Sequence, residues 1–237
     1  MTVYIALGVL IFVGTLCQGT IGFGLGTIAT PIIAMVAPEL VPAVILVLAL
    51  CIASVTAWQH RAAIAWRIVA LSSAARVPGS LLGAWAVAAL SHRGLGIVIG
   101  CAVLLAMTLS GLGWTPKHNT PNTLAAGVAS GFLGTSTSIG GPPMALILKD
   151  FDPARVRGTL SGTFVIGCII SLVTLGTAGQ ISQLQLTTAL AYLPVAFVGL
   201  FVARHLNRFI DTAMLNRIVL VVAVTAAIAL IAQSIIG

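Results

Sequence analysis

The stretch Gln18-Gly19-Thr20-Ile21-Gly22-Phe23-Gly24-Leu25-Gly26 cuts through an apolar, uncharged run from Thr2 to Val36, and Pro31 follows it. A second such run, Thr123 to Leu148, is cut by Gly131-Phe132-Leu133-Gly134-Thr135-Ser136-Thr137-Ser138-Ile139-Gly140-Gly141-Pro142-Pro143. Sliding one onto the other by 112 residues pairs Gly19 with Gly131, Gly22 with Gly134 and Pro31 with Pro143. Hydrophobic segments interrupted by Gly and Pro at matching places of two chain halves are a sequence pointer to the binding centre of a transporter.

The likeness extends outward from the breaks. Pro42-Ala43 corresponds to Pro153-Ala154, Pro78 to Pro194 and Gly83 to Gly199. A first repeat over 1–115 and a second over 122–237 are expected, joined by a linker at 116–121 within the turn-rich stretch Trp114 to Pro121. With 59% apolar and 6% charged residues, the chain cannot cover itself with a water-compatible surface. Further spans are expected near 40–58, 68–90, 94–113, 156–178, 184–203 and 214–236. Each approaches the ~20 residues that cross the hydrocarbon core. No period-two alternation suggests a barrel. The expected fold is therefore an all-α polytopic membrane protein of two homologous four-segment repeats, each beginning with a broken or re-entrant helix pair. Met1-Thr2-Val3-Tyr4 carries no basic n-region, so no cleavable signal peptide is expected.

A net charge of +7 raises the question of nucleic acid, but the basic residues lie in short loops between apolar spans, where they report orientation and contact with headgroups. If every segment crosses, the assignable loop Lys and Arg residues split seven to three. If each broken segment enters and leaves on one face, the split becomes nine to one: Arg61, Arg67, Lys117, Lys149, Arg155, Arg157, Arg204, Arg208 and Arg217 against Arg93. The re-entrant arrangement obeys the positive-inside rule far better, inverts the second repeat relative to the first, and places both termini outside the cytoplasm. Arms of about 10 residues at 1.5 Å per residue would bring the breaks to mid-bilayer; the run before the first break is longer than that.

A chain break inside a membrane survives only within protein or beside water, because each unpaired backbone group costs several kcal/mol in lipid. The helix after each break, with Pro31 or Pro142-Pro143 in its first turn, would point its N-terminus and free N–H groups at the molecular centre. Two such ends meeting from opposite sides suit an anion. The expected substrate-binding residues are Gln18, Gly22, Gly24, Gly26 and Thr27 from the first break, and Ser136, Thr137, Ser138, Gly140 and Gly141 from the second. Arg76 joins them as the one charge well within a span, either facing the substrate or snorkelling to the surface. The plainer reading is helix packing through small residues, as in Gly79-xxx-Gly83, Gly127-xxx-Gly131 and Gly158-xxx-Gly162.

Glu39, Asp150, Asp152 and Asp211 all fall in loops, so no carboxylate is expected inside to relay protons. His60, His92, His118 and His205 read as interfacial, and Cys17, Cys51, Cys101 and Cys168 as isolated packing residues without metal-ligand spacing. No metal, cofactor or nucleic-acid partner is expected. No Ser/His/Asp, HExxH or paired-carboxylate arrangement supports an enzyme.

The pattern Gln18-xxx-Gly22-Phe23-Gly24-x-Gly26 with Pro31, then Gly140-Gly141-Pro142-Pro143 in a second half, resembles the TauE/SafE family, also called the toluene sulfonate uptake permease family, over essentially the whole chain. The resemblance implies an inner-membrane carrier for sulfur-containing anions such as sulfite or organosulfonates. An inside-negative potential favours expelling an anion by ~2.3 kcal/mol per charge per 100 mV, so export is energetically simpler than uptake. An anion channel and a non-transporting scaffold subunit stay open beside the carrier, as does assembly into a homo-oligomer.

Overall fold

The computed structural model describes residues 2–111, 116–206 and 212–236, and among these the chain is helical, with no strand. The helices are α1 (Thr2–Ile21), α2 (Leu25–Val36), α3 (Ala43–Gln59), α4 (Trp66–Ala89), α5 (His92–Gly111), α6 (Thr120–Thr137), α7 (Gly141–Ile147), α8 (Pro153–Thr177), α9 (Gln183–Leu206) and α10 (Thr212–Ile236). The expected unbroken spans correspond to α3, α4, α5, α8, α9 and α10. The stretches Tyr4–Ile21, Pro153–Thr177, Gln183–Leu206 and Arg217–Ile236 are long and apolar enough to cross a bilayer, and Leu25–Val36, Ala43–Gln59 and His92–Leu105 are shorter apolar helices.

Both expected breaks are present, and each has a local cause. Gly22 and Gly24 take φ of 97° and 148°, the region that favours glycine, and the Gly22 N–H closes the end of α1 on the Gln18 carbonyl at 2.8 Å. At the other break Ser138 takes the left-handed conformation, φ 59°, while its N–H bonds the Gly134 carbonyl. That conformation costs a non-glycine residue about 1–2 kcal/mol. The Ser138 hydroxyl offsets part of it by donating to the Pro42 carbonyl at 2.9 Å. Asn119 and Asp152 cap α6 and α8 through their side-chain oxygens.

Three expectations need correction. The helix leading into the second break has 18 residues, roughly 27 Å, rather than about 10, and the one leading into the first, already expected to be longer, has 20, roughly 30 Å. Pro31 lies inside α2, the seventh of its residues, whereas Pro142 and Pro143 do occupy the first turn of α7. The breaks themselves, 22–24 and 138–140, stand 116 residues apart rather than 112, and Gly134 lies within α6.

Contacts fix the course of the chain. At the first break α2 folds back on α1, with Leu25 against Gly14, and its far end reaches α10, where the Gln233 amide donates to the Met35 carbonyl at 3.3 Å. Following the second break, α7 returns towards the start of α6, where the His118 and Phe151 rings lie 5.2 Å apart. Thus α1–α2 and α6–α7 are hairpins, each leaving on the side where it entered. Helix α1 runs parallel to α9, from the Tyr192 hydroxyl on the Tyr4 carbonyl to Gly19 against Ala203. Helices α4 and α6 are likewise parallel, from Ser72 beside Gly127 to Gly83 beside Thr135. By contrast α3 and α8 run antiparallel, and so do α5 and α10.

One end of the bundle gathers Arg61, Arg67, Lys149, Arg155 and Arg157, because the α3–α4 turn packs on the start of α8 through the Ala65 N–H on Thr159 Oγ1. Exposed Trp58 and Trp66 ring this end, and the Arg61 guanidinium sits 4.9 Å over the Trp58 ring, an arrangement suited to a headgroup layer. At the opposite end a cavity of about 480 Å³ is bordered by Glu39, His92, Gln180 and Gln185.

Candidate functional site

The two breaks meet. A methyl on Gly26, in the first turn of α2, would collide with the Ser138 carbonyl oxygen, and a Cβ on Gly141 would stand 2.8 Å from the Phe23 Cβ. Together they enclose a cavity of about 20 Å³, the room one water needs. Its polar wall carries Gln18, Gly24, Gly26, Thr27, Arg76, Ser138, Gly140 and Gly141; Phe23, Leu46, Ala49, Ile139 and Phe164 form the apolar wall. Eight of the expected residues therefore line one small space. Gly22, Ser136 and Thr137 stand outside its lining. The Ser136 and Thr137 hydroxyls turn back onto the Phe132 and Leu133 carbonyls of their own helix, the common habit of a membrane Ser or Thr. Gly22 packs against Leu160 and Arg157 on the side of the basic end.

Arg76 does not snorkel. It is 1% exposed, and its guanidinium lies in a slot formed by Gly134, Gly140 and Gly167, where added side chains would strike it. Nη1 donates to Ser130 Oγ at 2.8 Å, and that hydroxyl donates onward to the Gly140 carbonyl at 2.6 Å. Nη2 reaches Ser171 Oγ at 3.4 Å, which shares a hydrogen bond of 2.8 Å with Thr135 Oγ1. Nε is buried without a hydrogen-bond partner. No carboxylate lines the cavity: Glu39, Asp150 and Asp152 are exposed at loops, and Asp211 lies outside the described residues. A buried charge of this kind is costly unless something neutralises it.

The other lining groups also have unused polarity. Gln18 is 7% exposed, and its amide makes no side-chain hydrogen bond among the described residues. The first three N–H groups of α2, on Leu25, Gly26 and Thr27, precede the first intrahelical bond, Ile28 N–H to the Gly24 carbonyl. Pro31 removes the donor that would have satisfied the Thr27 carbonyl. The site thus offers a fixed cation, backbone and amide donors, and a few acceptors, against an aromatic wall. Such a set can hold a small oxyanion and fix its orientation.

Sequence reasoning did not find Ser130, Ser171, Phe164 or Cys168. Phe164, Cys168 and Ser171 lie in the unbroken α8 and Ser130 two turns before the second break, where nothing but the fold distinguishes them from packing residues. Cys168 borders the cavity beside Arg76, while Cys17, Cys51 and Cys101 stand apart from its lining. His60 and His205 use their ring Nδ1 on carbonyls of their own helices, in keeping with the interfacial reading.

A family model described as Sulfite exporter TauE/SafE matches residues 6–230. No curated protein and no solved structure matches. The match runs through both broken hairpins and the helices that enclose the cavity, and this chain belongs to the TauE/SafE sulfite exporter family of membrane transporters.

Proposed function

We propose that this chain is a secondary carrier that exports a small sulfur-containing anion, of the sulfite or organosulfonate class, across the inner membrane, with the cavity between the two breaks as its substrate site. The observation that carries this reading is the convergence of both chain breaks and the buried Arg76 on one small cavity with no carboxylate among its described lining residues. The lining residues gain roles accordingly: Arg76 supplies countercharge, Gln18 and the amides around Gly24, Gly26, Thr27, Gly140 and Gly141 donate hydrogen bonds, and Ser138 ties the second break to the start of α3.

Helix directions support two inverted repeats, α1–α5 and α6–α10. Exchanging each helix for its counterpart turns the α1–α9 pair into α6–α4 and leaves α3–α8 and α5–α10 unchanged, and these last two pairs are antiparallel. The basic end, read as cytoplasmic, then leaves both termini on the far side.

The test is efflux from proteoliposomes loaded with sulfite or methanesulfonate under an imposed inside-negative potential. The reading expects saturable efflux accelerated by the potential. Efflux equal to that of protein-free vesicles for every anion would overturn it.

A further inference from the structure

Among the described residues the substrate site has one fixed charge and no protein group to cancel it, which bears on the charge of its cargo. Arg76 is the single charged side chain lining the cavity, and a guanidinium stays protonated across the physiological range. Titratable and charged groups on the surrounding helices are few. Helix α8 brings the Cys168 thiol to the wall and Arg157 to the outer side of Gly22; α1 places Cys17 beside Gly24; α3 contributes Cys51, behind Cys168. Helices α2, α6 and α7 bring none. Resting on the substrate-site reading above, we infer that this site selects a singly charged oxyanion of sulfur, hydrogensulfite or a monosulfonate, over dianions such as sulfite proper, sulfate or thiosulfate.

The physical reason is charge balance in a small space with an apolar wall. With a monoanion bound, guanidinium and substrate cancel, and the loaded site is neutral when both sides are shut. A dianion would leave one net negative charge beside Phe23, Phe164, Leu46 and Ile139, with only the partial charge of one substantial helix end, that of α2, to answer it. The acceptor in the wall points the same way. The Gln18 amide oxygen can receive the proton that hydrogensulfite carries and that fully ionised oxyanions lack.

The experiment is equilibrium binding to the purified full-length protein, followed by thermal stabilisation, with sulfite, methanesulfonate and sulfate titrated from pH 6 to pH 9. Methanesulfonate is a monoanion throughout and serves as the internal reference. Sulfite affinity should weaken by about tenfold per pH unit once hydrogensulfite deprotonates, while methanesulfonate affinity stays flat. Sulfate should stabilise no more than chloride does. Arg76→Lys, which keeps the charge, should show the same pH slope at reduced affinity. Sulfite binding that is constant or strengthens with pH, or sulfate binding within about threefold of methanesulfonate, would overturn the inference while leaving the transport reading intact. Absence of stabilisation by any of the sulfur anions would instead remove the substrate site, and this inference with it.

Discussion

At Arg76 the chain keeps a full charge in its centre with hydroxyls and no carboxylate around it, and the local hydrogen bonds predict what its loss would do. Ser130 still has the Gly140 carbonyl and Ser171 still has Thr135 when the guanidinium is gone. Arg76→Gln should therefore keep near wild-type folded yield and unfolding temperature in the absence of anion, while losing anion-dependent stabilisation and at least tenfold in efflux rate. A large drop in folded yield would assign Arg76 to architecture. The apolar wall makes a separate prediction. Phe164→Ala opens space opposite Arg76 where Phe23 and Gly141 now meet it. Longer sulfonates such as propanesulfonate should gain in competition assays by about tenfold relative to methanesulfonate, because a pocket discriminates a few methylenes by 1–3 kcal/mol. Gln18, Gly24 and Arg76 were legible as candidate site residues because each is an oddity in an apolar run. Phe164 and Cys168 were not, since an aromatic or a thiol in a hydrophobic helix carries no local signal.

At the scale of helices, the breaks were legible and their register was not. Small residues recur about every turn along a tightly packed membrane helix, so a slide of 112 residues pairs two glycines of the broken runs with glycines, whereas the slide of 116 that joins break to break pairs only Gly24 with Gly140. The misplacement equals one turn of helix, which preserves the face and shifts the depth. Pro31 misled for the same reason: it sits one turn and more inside α2, where it frees a carbonyl rather than starting the helix. The packing reading of Gly79-xxx-Gly83 and Gly127-xxx-Gly131 was sound, for these motifs face each other across α4 and α6. A Cβ on Gly79 would enter the Val128 carbonyl, and one on Gly131 the Arg76 carbonyl. Gly79→Leu should force the two backbones apart and lower folded yield in detergent severely, a cost of several kcal/mol. Gly179→Ala, with open space around it but φ of 68°, should cost only about 1–2 kcal/mol. Thermal unfolding of both variants checks the order.

For the whole molecule, charge placement decides how the protein sits and how it cycles. The basic end with its tryptophans predicts that a cysteine introduced at position 61 reacts with membrane-impermeant reagent only from the cytoplasmic side, and one introduced at Gln180 only from outside. Reversed labelling would invert the molecule. Arg76 has a dynamic corollary. A loaded site is near neutral, whereas an empty closed site buries an unanswered positive charge, so the empty carrier should return slowly. Unlabelled anion on the far side should then speed efflux of labelled anion several-fold at zero potential. Equal rates with and without it would place the slow step elsewhere.

Cys168 gives this cavity a native chemical reporter. Its thiol borders the same space as Arg76 and is 2% exposed, so reagent arrives there only while one side is open. A methanethiosulfonate bearing its own sulfonate would be drawn in as cargo and left attached through a disulfide as methanesulfinate departs. Its modification rate would time the opening of the protein, bound substrate would shield the thiol, and Cys168→Ser would remain untouched by the reagent at that position.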